Sequence, residues 1–396
     1  MEKLKIIVSG FIGLYPSGGV TWDYIQYPLG FHLLGHDVYY FEDTHQYPVY
    51  QVERGKWDDC SASVEYLNSV MQFFGLPANW AYRDVVTGRW YGMPENKIKE
   101  VFKTADIFIN VSSATHIKHS EYAHIPKKVL IDSDPMFTQV QYWDSKNKET
   151  SETQIRELFN WYDFHFSFGE NIGQADCKIP TYGFTWKPTR QPICLEEWRN
   201  KSAVKNEYGF STVMNWSARN PMEYANEFWG QKDIEFKKFK ELPSITTQVP
   251  FDIIVSCAVH AREDFEKHDF KSYGWNVLSP DPVISTPAKY RQFIQSSFGE
   301  FSVAKETYVK SNSGWFSCRS ACYLAAGRPV IAQDTQWSKY IPHGEGLLAF
   351  SDMNSAMTSL QSVLQHTKIH ERAAKEIAFE YFDSHKILTK LLQEII

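Results

Sequence analysis

The chain has 396 residues, more than one ordinary domain holds and suited to two of about 150–200 residues, each with its own core. Its 41 Lys and Arg against 47 Asp and Glu leave a net charge of -6, with no basic stripe or arginine-rich tail, so composition gives no electrostatic reason for tight nucleic-acid binding. The six cysteines form no C-x-x-C pair and fit a reducing compartment, and no apolar run approaches the roughly 20 residues of a membrane span. A cytoplasmic protein with no transmembrane segment is the expectation.

Met1–Gly10 is basic and then briefly apolar, too short for a secretory leader, and Lys5–Ser9 reads as a first strand. A glycine-rich loop follows, then a helical stretch over 22–34 and a second strand over Asp37–Phe41. Ala105–Asn110, Lys128–Asp132 and Phe164–Phe168 repeat the pattern of near-continuous apolar strands between helices, the mark of a parallel sheet covered on both faces. Asn147–Thr153 reads as a solvated loop. The proline-rich segment Ile179–Trp198 breaks the rhythm, and the alternation restarts at Ser211–Asn215. Phe251–Val255, Trp275–Leu278, Phe301–Ala304 and Pro329–Ala332 are further strands, and Ser355–Ile396 is helical. The expected fold class is α/β: two Rossmann-like domains facing across a cleft, over residues 1–185 and 186–365, with helices over 366–396 that can pack back on the first domain.

In open α/β sheets, ligands bind beyond the carboxyl ends of the strands. Four segments place chemistry there. Gly10–Val20, with Gly18 and Gly19, lets backbone approach a ligand and leads into a helix start that offers free N–H groups; an ordinary tight turn is the plain alternative. It is not G-x-G-x-x-G, although Glu42 and Asp43 after the second strand leave a nicotinamide enzyme in view. Ser313–Ile331 runs from a glycine-containing loop into a helix with Ser317, Arg319 and Ser320 in its first turns, a combination suited to a diphosphate. Cys318 and Cys322 on that helix read as packing neighbours. Asp132-Ser133-Asp134 suits a metal ligand, a cleft-facing acid or a loop cap. His116, near His119 and His124, suits a general base or a helix cap, and no zinc spacing is present. Glu170, after another strand, lines the cleft or caps a helix. Trp and Tyr in loop-like places serve core packing or sugar stacking.

Ser313–Asp334 resembles the donor-nucleotide region of GT-B glycosyltransferases, with the Ala-x-Gly-x-Pro-Val turn matched by Ala325–Val330. The whole chain resembles a family of bacterial predicted glycosyltransferases. The matching pieces are Gly18-Gly19-x-x-Trp22, Leu34–Val38, Asp132–Pro135, Phe168–Gly173, Val213–Trp216, Gly299–Lys305 and Gly344–Leu348. The resemblance implies a GT-B-like fold, with the acceptor side in residues 1–185 and the nucleotide-sugar side in 186–365, and transfer of a sugar from a nucleotide-diphosphate donor, the co-substrate, with no cofactor and no required metal. The acceptor is unidentified: a glycan, a small molecule or a modified nucleic acid, the last only as a substrate. For such a reaction the expected donor contacts are Gly18, Gly19, Arg219, Glu300, Lys305, Ser313, Gly314, Trp315, Ser317, Arg319 and Ser320, and Asp134 or His116 is the expected catalytic base if the reaction inverts. Arg219 and Lys232 follow the first strand of the second domain, where GT-B enzymes often keep basic phosphate ligands. One departure stands out. Many retaining members carry Glu-x7-Glu here, and aligning on Ala325–Val330 places Gly314 and Cys322 at those positions. The ribose contact therefore comes from elsewhere, Glu300 being one substitute, and the stereochemical outcome stays open. A nucleotide-sugar epimerase of the same architecture, or a non-catalytic nucleotide-sugar or glycan-binding protein, is the alternative.

Overall fold

The computed structural model describes residues 2–48, 57–115, 120–199, 206–218, 221–256 and 259–396. His116 and Arg219 lie outside these residues. The first sheet contains β1 (Lys5–Ser9), β2 (Asp37–Glu42), β3 (Trp80–Arg83), β4 (Trp90–Gly92), β5 (Ile107–Val111), β6 (Lys127–Asp132), β7 (Phe164–Ser167) and β8 (Trp186–Pro188). Their order is β4-β3-β2-β1-β5-β6-β7-β8, parallel except where the edge strand β4 turns back on β3. The interior strands are buried on both faces, which is why they read as continuous apolar runs.

The second half contains β9 (Tyr208–Asn215), the hairpin β10 (Met222–Tyr224) and β11 (Glu227–Trp229), then β12 (Phe251–Ser256), β13 (Trp275–Leu278), β14 (Ser297–Ser302), β15 (Val330–Gln333) and β16 (Leu347–Phe350). The parallel sheet runs β13-β12-β9-β14-β15-β16. Two Rossmann-like α/β sheets are thus present, as expected. The first reaches three residues past 185, because Trp186–Pro188 pairs with β7.

The strands β3, β4, β8, β10, β11 and β16 were not among those expected, and two of the expected elements differ in extent or kind. β14 starts four residues earlier than the expected Phe301, because the half-polar run Ser297–Glu300 pairs with β9 and β15. Lys148–Asn160 is a helix, so the expected loop at Asn147–Thr153 is that helix's first turns; the segment's solvent exposure is as expected.

Five helices set the junction between the sheets: α1 (Gly18–Leu33), α2 (Pro287–Ser296), α3 (Cys318–Ala325), α4 (Thr367–Tyr381) and α5 (Ser384–Ile395). α1 packs on α2 and α3, and one apolar cluster runs from Trp22 and Ile25 through Trp198 to Ile294, Phe316 and Tyr323. Trp22 is buried and donates its indole N–H to Pro287 O at 2.9 Å. α4 packs on α3, while α5 returns to the first sheet, where Leu388 fills the space above Gly30.

Candidate functional site

The carboxyl ends of the two sheets face each other. Ser17 caps α1, accepting from Val20 N at 3.4 Å, and Gly18 sits so close to α2 that a Cβ would lie 2.3 Å from Thr286 O. Only glycine permits that approach, so Gly18 is consumed by docking the domains, and Gly19 lies under the Tyr290 ring. The preceding loop is held from below by Glu42, which accepts from Gly13 N at 2.8 Å, Leu14 N at 2.5 Å and the Tyr40 hydroxyl at 3.0 Å. Burial lifts the Glu42 carboxyl to about 7 against those hydrogen bonds. With both oxygens turned inward, Glu42 organises the loop and is not placed to hold a ribose.

The loop 313–316 of the second domain meets the β6 and β7 ends of the first. Ser313 is buried and accepts from Trp315 N at 3.1 Å. Gly314 has φ +73° and lies against the backbone of Glu170 and Asn171. Trp315 stacks on Tyr308 at 4.3 Å, and its indole N–H donates to Ser133 O at 3.0 Å. Glu170 is paired in a fork with Arg190 at 2.7 and 2.8 Å. These groups join the domains.

Ser317 is the N-cap residue of α3 and makes no side-chain cap, so the first-turn N–H groups of this helix carry the positive end of its dipole toward the junction. Arg319 is turned into the second sheet. It donates to Glu300 Oε1, to Val213 O, and to Ser302 Oγ at 3.0 Å, and Ser320 lies 3.4 Å from the same Ser302 hydroxyl. Burial works against the Arg319 charge, but Glu300 and its neighbours hold the guanidinium protonated above its usual range. Glu300 is wholly buried, with Oε2 unpartnered among the described residues. The two residues implied as donor ligands are therefore each other's partners. Beside them Lys232 is buried, and its amine meets no hydrogen-bond acceptor among the described residues; burial first, then Arg319, drives that amine well below the usual lysine range.

Asp132 and Asp134 divide the Asp-x-Asp segment between them. Asp132 is buried and accepts from Thr138 at 2.6 Å, Ser167 at 2.7 Å, Gln139 at 2.9 Å and Asp134 N at 3.0 Å. Both of its oxygens shape the turn, which is the loop-capping alternative. Asp134 points across the junction, accepting from Lys305 Nζ at 2.8 Å and from the Tyr308 hydroxyl. Next to this turn, Ser112 and Ser113 have φ +59° and +54°, and Ser112 Oγ lies between the Tyr24 hydroxyl at 3.1 Å and Ser133 Oγ at 2.5 Å.

Asp23 was not singled out by the sequence. It stands on the second turn of α1, between buried Trp22 and half-buried Tyr24, and is open to solvent while walled in by protein. It lies near the Cys318 thiol at the start of α3, which donates to Trp22 O at 4.0 Å, and within the field of Arg319. Partial desolvation raises its carboxyl to about 6, against both of those neighbours. The only hint in the sequence is a carboxylate four residues after Gly18-Gly19. Two hollows, one beside Pro342–Glu345 and α4, the other beside Leu195 and Lys375, lie behind the second domain and away from these groups.

Two Rossmann-like sheets with facing carboxyl ends, a helix start aimed at the junction and a last helix returning to the first sheet define the GT-B fold. Solved structures agree. The chain is similar to HepE of Anabaena in complex with UDP and glucose at 10% identity and TM-score 0.58, over 99% of each chain. It is similar to sucrose-phosphate synthase of Thermosynechococcus elongatus at 11% identity and TM-score 0.56, over 99% of this chain and 98% of that one. A glycosyltransferase of Rickettsia africae matches at 10% identity and TM-score 0.56, over 100% and 98%. No protein-family model matches the chain, and no curated protein matches it by sequence. Among the described residues, no helix is long and apolar enough to cross a membrane.

Proposed function

We propose that the chain is a glycosyltransferase that takes its sugar from a nucleoside-diphosphate donor and needs no metal. The observation that carries this is the meeting of the α3 start, with Lys232 and Lys305 beside it, and the Asp23 turn of α1. An anionic diphosphate and a reacting hydroxyl then fit on opposite sides of one junction. One neighbour of the same fold supports the donor class: HepE structures hold UDP and UDP-glucose. Asp132 is saturated by protein hydrogen bonds and Asp134 is held by Lys305 and Tyr308, so the Asp-x-Asp carboxylates are committed to the protein.

In this mechanism the α3 dipole and the amines of Lys232 and Lys305 offset charge that builds on the leaving diphosphate. An acceptor oxygen bonds to the anomeric carbon, and the bond from that carbon to the diphosphate oxygen breaks, the electron pair leaving with the nucleoside diphosphate. In an inverting reaction a carboxylate takes the acceptor proton. Asp23 is the better placed for this, because Asp134 has first to release Lys305. His116 remains a third proposal from the sequence. The approach of a phosphate also raises the Lys232 amine toward its charged form, so donor binding and lysine protonation reinforce each other.

The test is to incubate the protein with a panel of nucleotide sugars and analyse the products by mass spectrometry. Free nucleoside diphosphate with a glycosylated product supports transfer. An isomerised donor supports the epimerase alternative, and tight binding without turnover supports a binding protein.

A further inference from the structure

The hairpin β10–β11 belongs to the second domain by sequence, yet it crosses to the first. Ala225 and Asn226 turn the chain with φ of +54° and +61°, and Met222 pairs with Trp229 across the strands. Trp229 is buried in the apolar cluster of Leu130, Met136, Val140 and Ile172, all of the first domain. Its indole N–H donates to Tyr224 O at 3.1 Å, and the Tyr224 ring meets Trp143 of the first domain at 4.7 Å. The far end of the hairpin is fastened within its own domain by the helix Glu306–Lys310. Lys310 Nζ donates to Phe228 O at 2.6 Å, Gly230 N donates to Glu306 Oε2 at 2.7 Å and the Thr307 hydroxyl donates to Gly230 O at 2.7 Å. Glu306 N donates to Gln231 O at 3.2 Å, and Lys232 is the next residue. Lys232 itself lies in the field of Arg319, Glu300 and Lys305.

A two-stranded hairpin is marginal by itself, so this one keeps its shape through packing on both flanks. Three residues span at most about 10 Å, so a shift of the Trp229 ring is passed along the pinned backbone to the Lys232 amine. We propose that Trp229 and Trp143 are positioning residues for donor binding: docked on the first domain, the hairpin holds Lys232 against the nucleoside diphosphate. This rests on the reading that places the diphosphate beside Lys232. The donor site of the second domain then depends on a surface of the first, and its amine is in place only while the two domains are docked. Rings that merely packed the junction would act on nucleotide affinity equally with or without the Lys232 amine. Rings that act through Lys232 lose their effect once that amine is gone.

The experiment is a double-mutant cycle on the full chain. Calorimetry with UDP, GDP and ADP identifies the diphosphate that the parent binds most tightly. That nucleotide is titrated into Trp143→Ala, Trp229→Ala and Lys232→Met, and into each tryptophan variant combined with Lys232→Met. Urea unfolding checks that each protein is folded. Trp143 is half-buried on the first domain, so its variant carries the test even where Trp229→Ala does not fold. Each tryptophan variant is expected to bind the nucleotide about three- to tenfold more weakly than the parent, but no more than about twofold more weakly once Lys232 is replaced. Trp143→Phe and Trp229→Phe, which keep a ring, are expected to stay within about twofold of the parent. Unchanged affinity in Trp143→Ala overturns the inference and leaves the donor reading standing if Lys232→Met alone weakens binding. An equal loss with and without the Lys232 amine also overturns the inference alone. A parent that binds no nucleoside diphosphate, or binds it no better than Lys232→Met does, overturns the donor reading and the inference together.

Discussion

Arg319 decides between two accounts of the second domain. If it were an open phosphate ligand, as the sequence resemblance implies, Arg319→Met would weaken nucleotide binding and leave the fold alone. The structure instead buries its guanidinium between Glu300, Val213 O and Ser302, with the Glu300 side chain wholly inaccessible. Removing the arginine strands a buried carboxylate without its partner among the described residues. Breaking a buried pair from one side costs about 3–5 kcal/mol. Glu300→Gln keeps an acceptor for Arg319 and should cost about 1–3 kcal/mol. The double variant Arg319→Met with Glu300→Leu removes both charges and should recover to within about 2 kcal/mol of the parent. Urea unfolding of the four proteins, with UDP titration of each, measures both quantities. Arg319→Met that unfolds at the parental urea concentration but binds UDP at least about tenfold more weakly would refute the reasoning.

Four further outcomes follow from the same geometry. Asp23→Asn should lower kcat by about 100-fold or more, within the usual worth of a positioned base, with UDP affinity near parental. Because the Asp23 carboxyl titrates near 6 and is basic only when ionised, parental activity should rise with pH through that value; a flat profile between pH 5 and 7 counts against it. Gly314→Ala places a Cβ 2.6 Å from Asn171 N at φ +73°, so it should destabilise the protein by at least about 1–3 kcal/mol in thermal or urea unfolding, and a neutral result would show that the loop can move away. Asp134→Asn removes the charge that holds Lys305 across the junction; if the junction opens for turnover, small-angle scattering should show an expanded form absent from the parent protein.

Much of the fold was legible because buried parallel strands are apolar throughout, as in Ile6–Val8 and Val129–Ile131. The elements missed were those without that signature: the half-polar start of β14, the charged first turns of Lys148–Asn160 and the short edge strands. The site divides in the same way. Gly18-Gly19 and Ser313–Ser320 were visible as glycine-bearing loops entering helices, and the structure brings both to the junction. Which side chains remain open to a ligand was not visible, since that depends on partners far apart in the chain. Asp134 meets Lys305 across 171 positions and Arg319 meets Val213 across 106. Asp23 had no motif around it, and only the approach of α1 to α3 sets it beside Cys318 and Arg319.

The central claim is that a nucleoside diphosphate sits between the α3 start and the amine of Lys232. UDP titration by calorimetry, parent against Lys232→Met, tests it most directly, because methionine keeps the buried stem while removing the charge. The account predicts measurable UDP binding by the parent, weakened at least about tenfold in the variant, the worth of a charge-assisted contact, with unfolding at or above the parental denaturant concentration. Equal UDP affinity in the two proteins would contradict it.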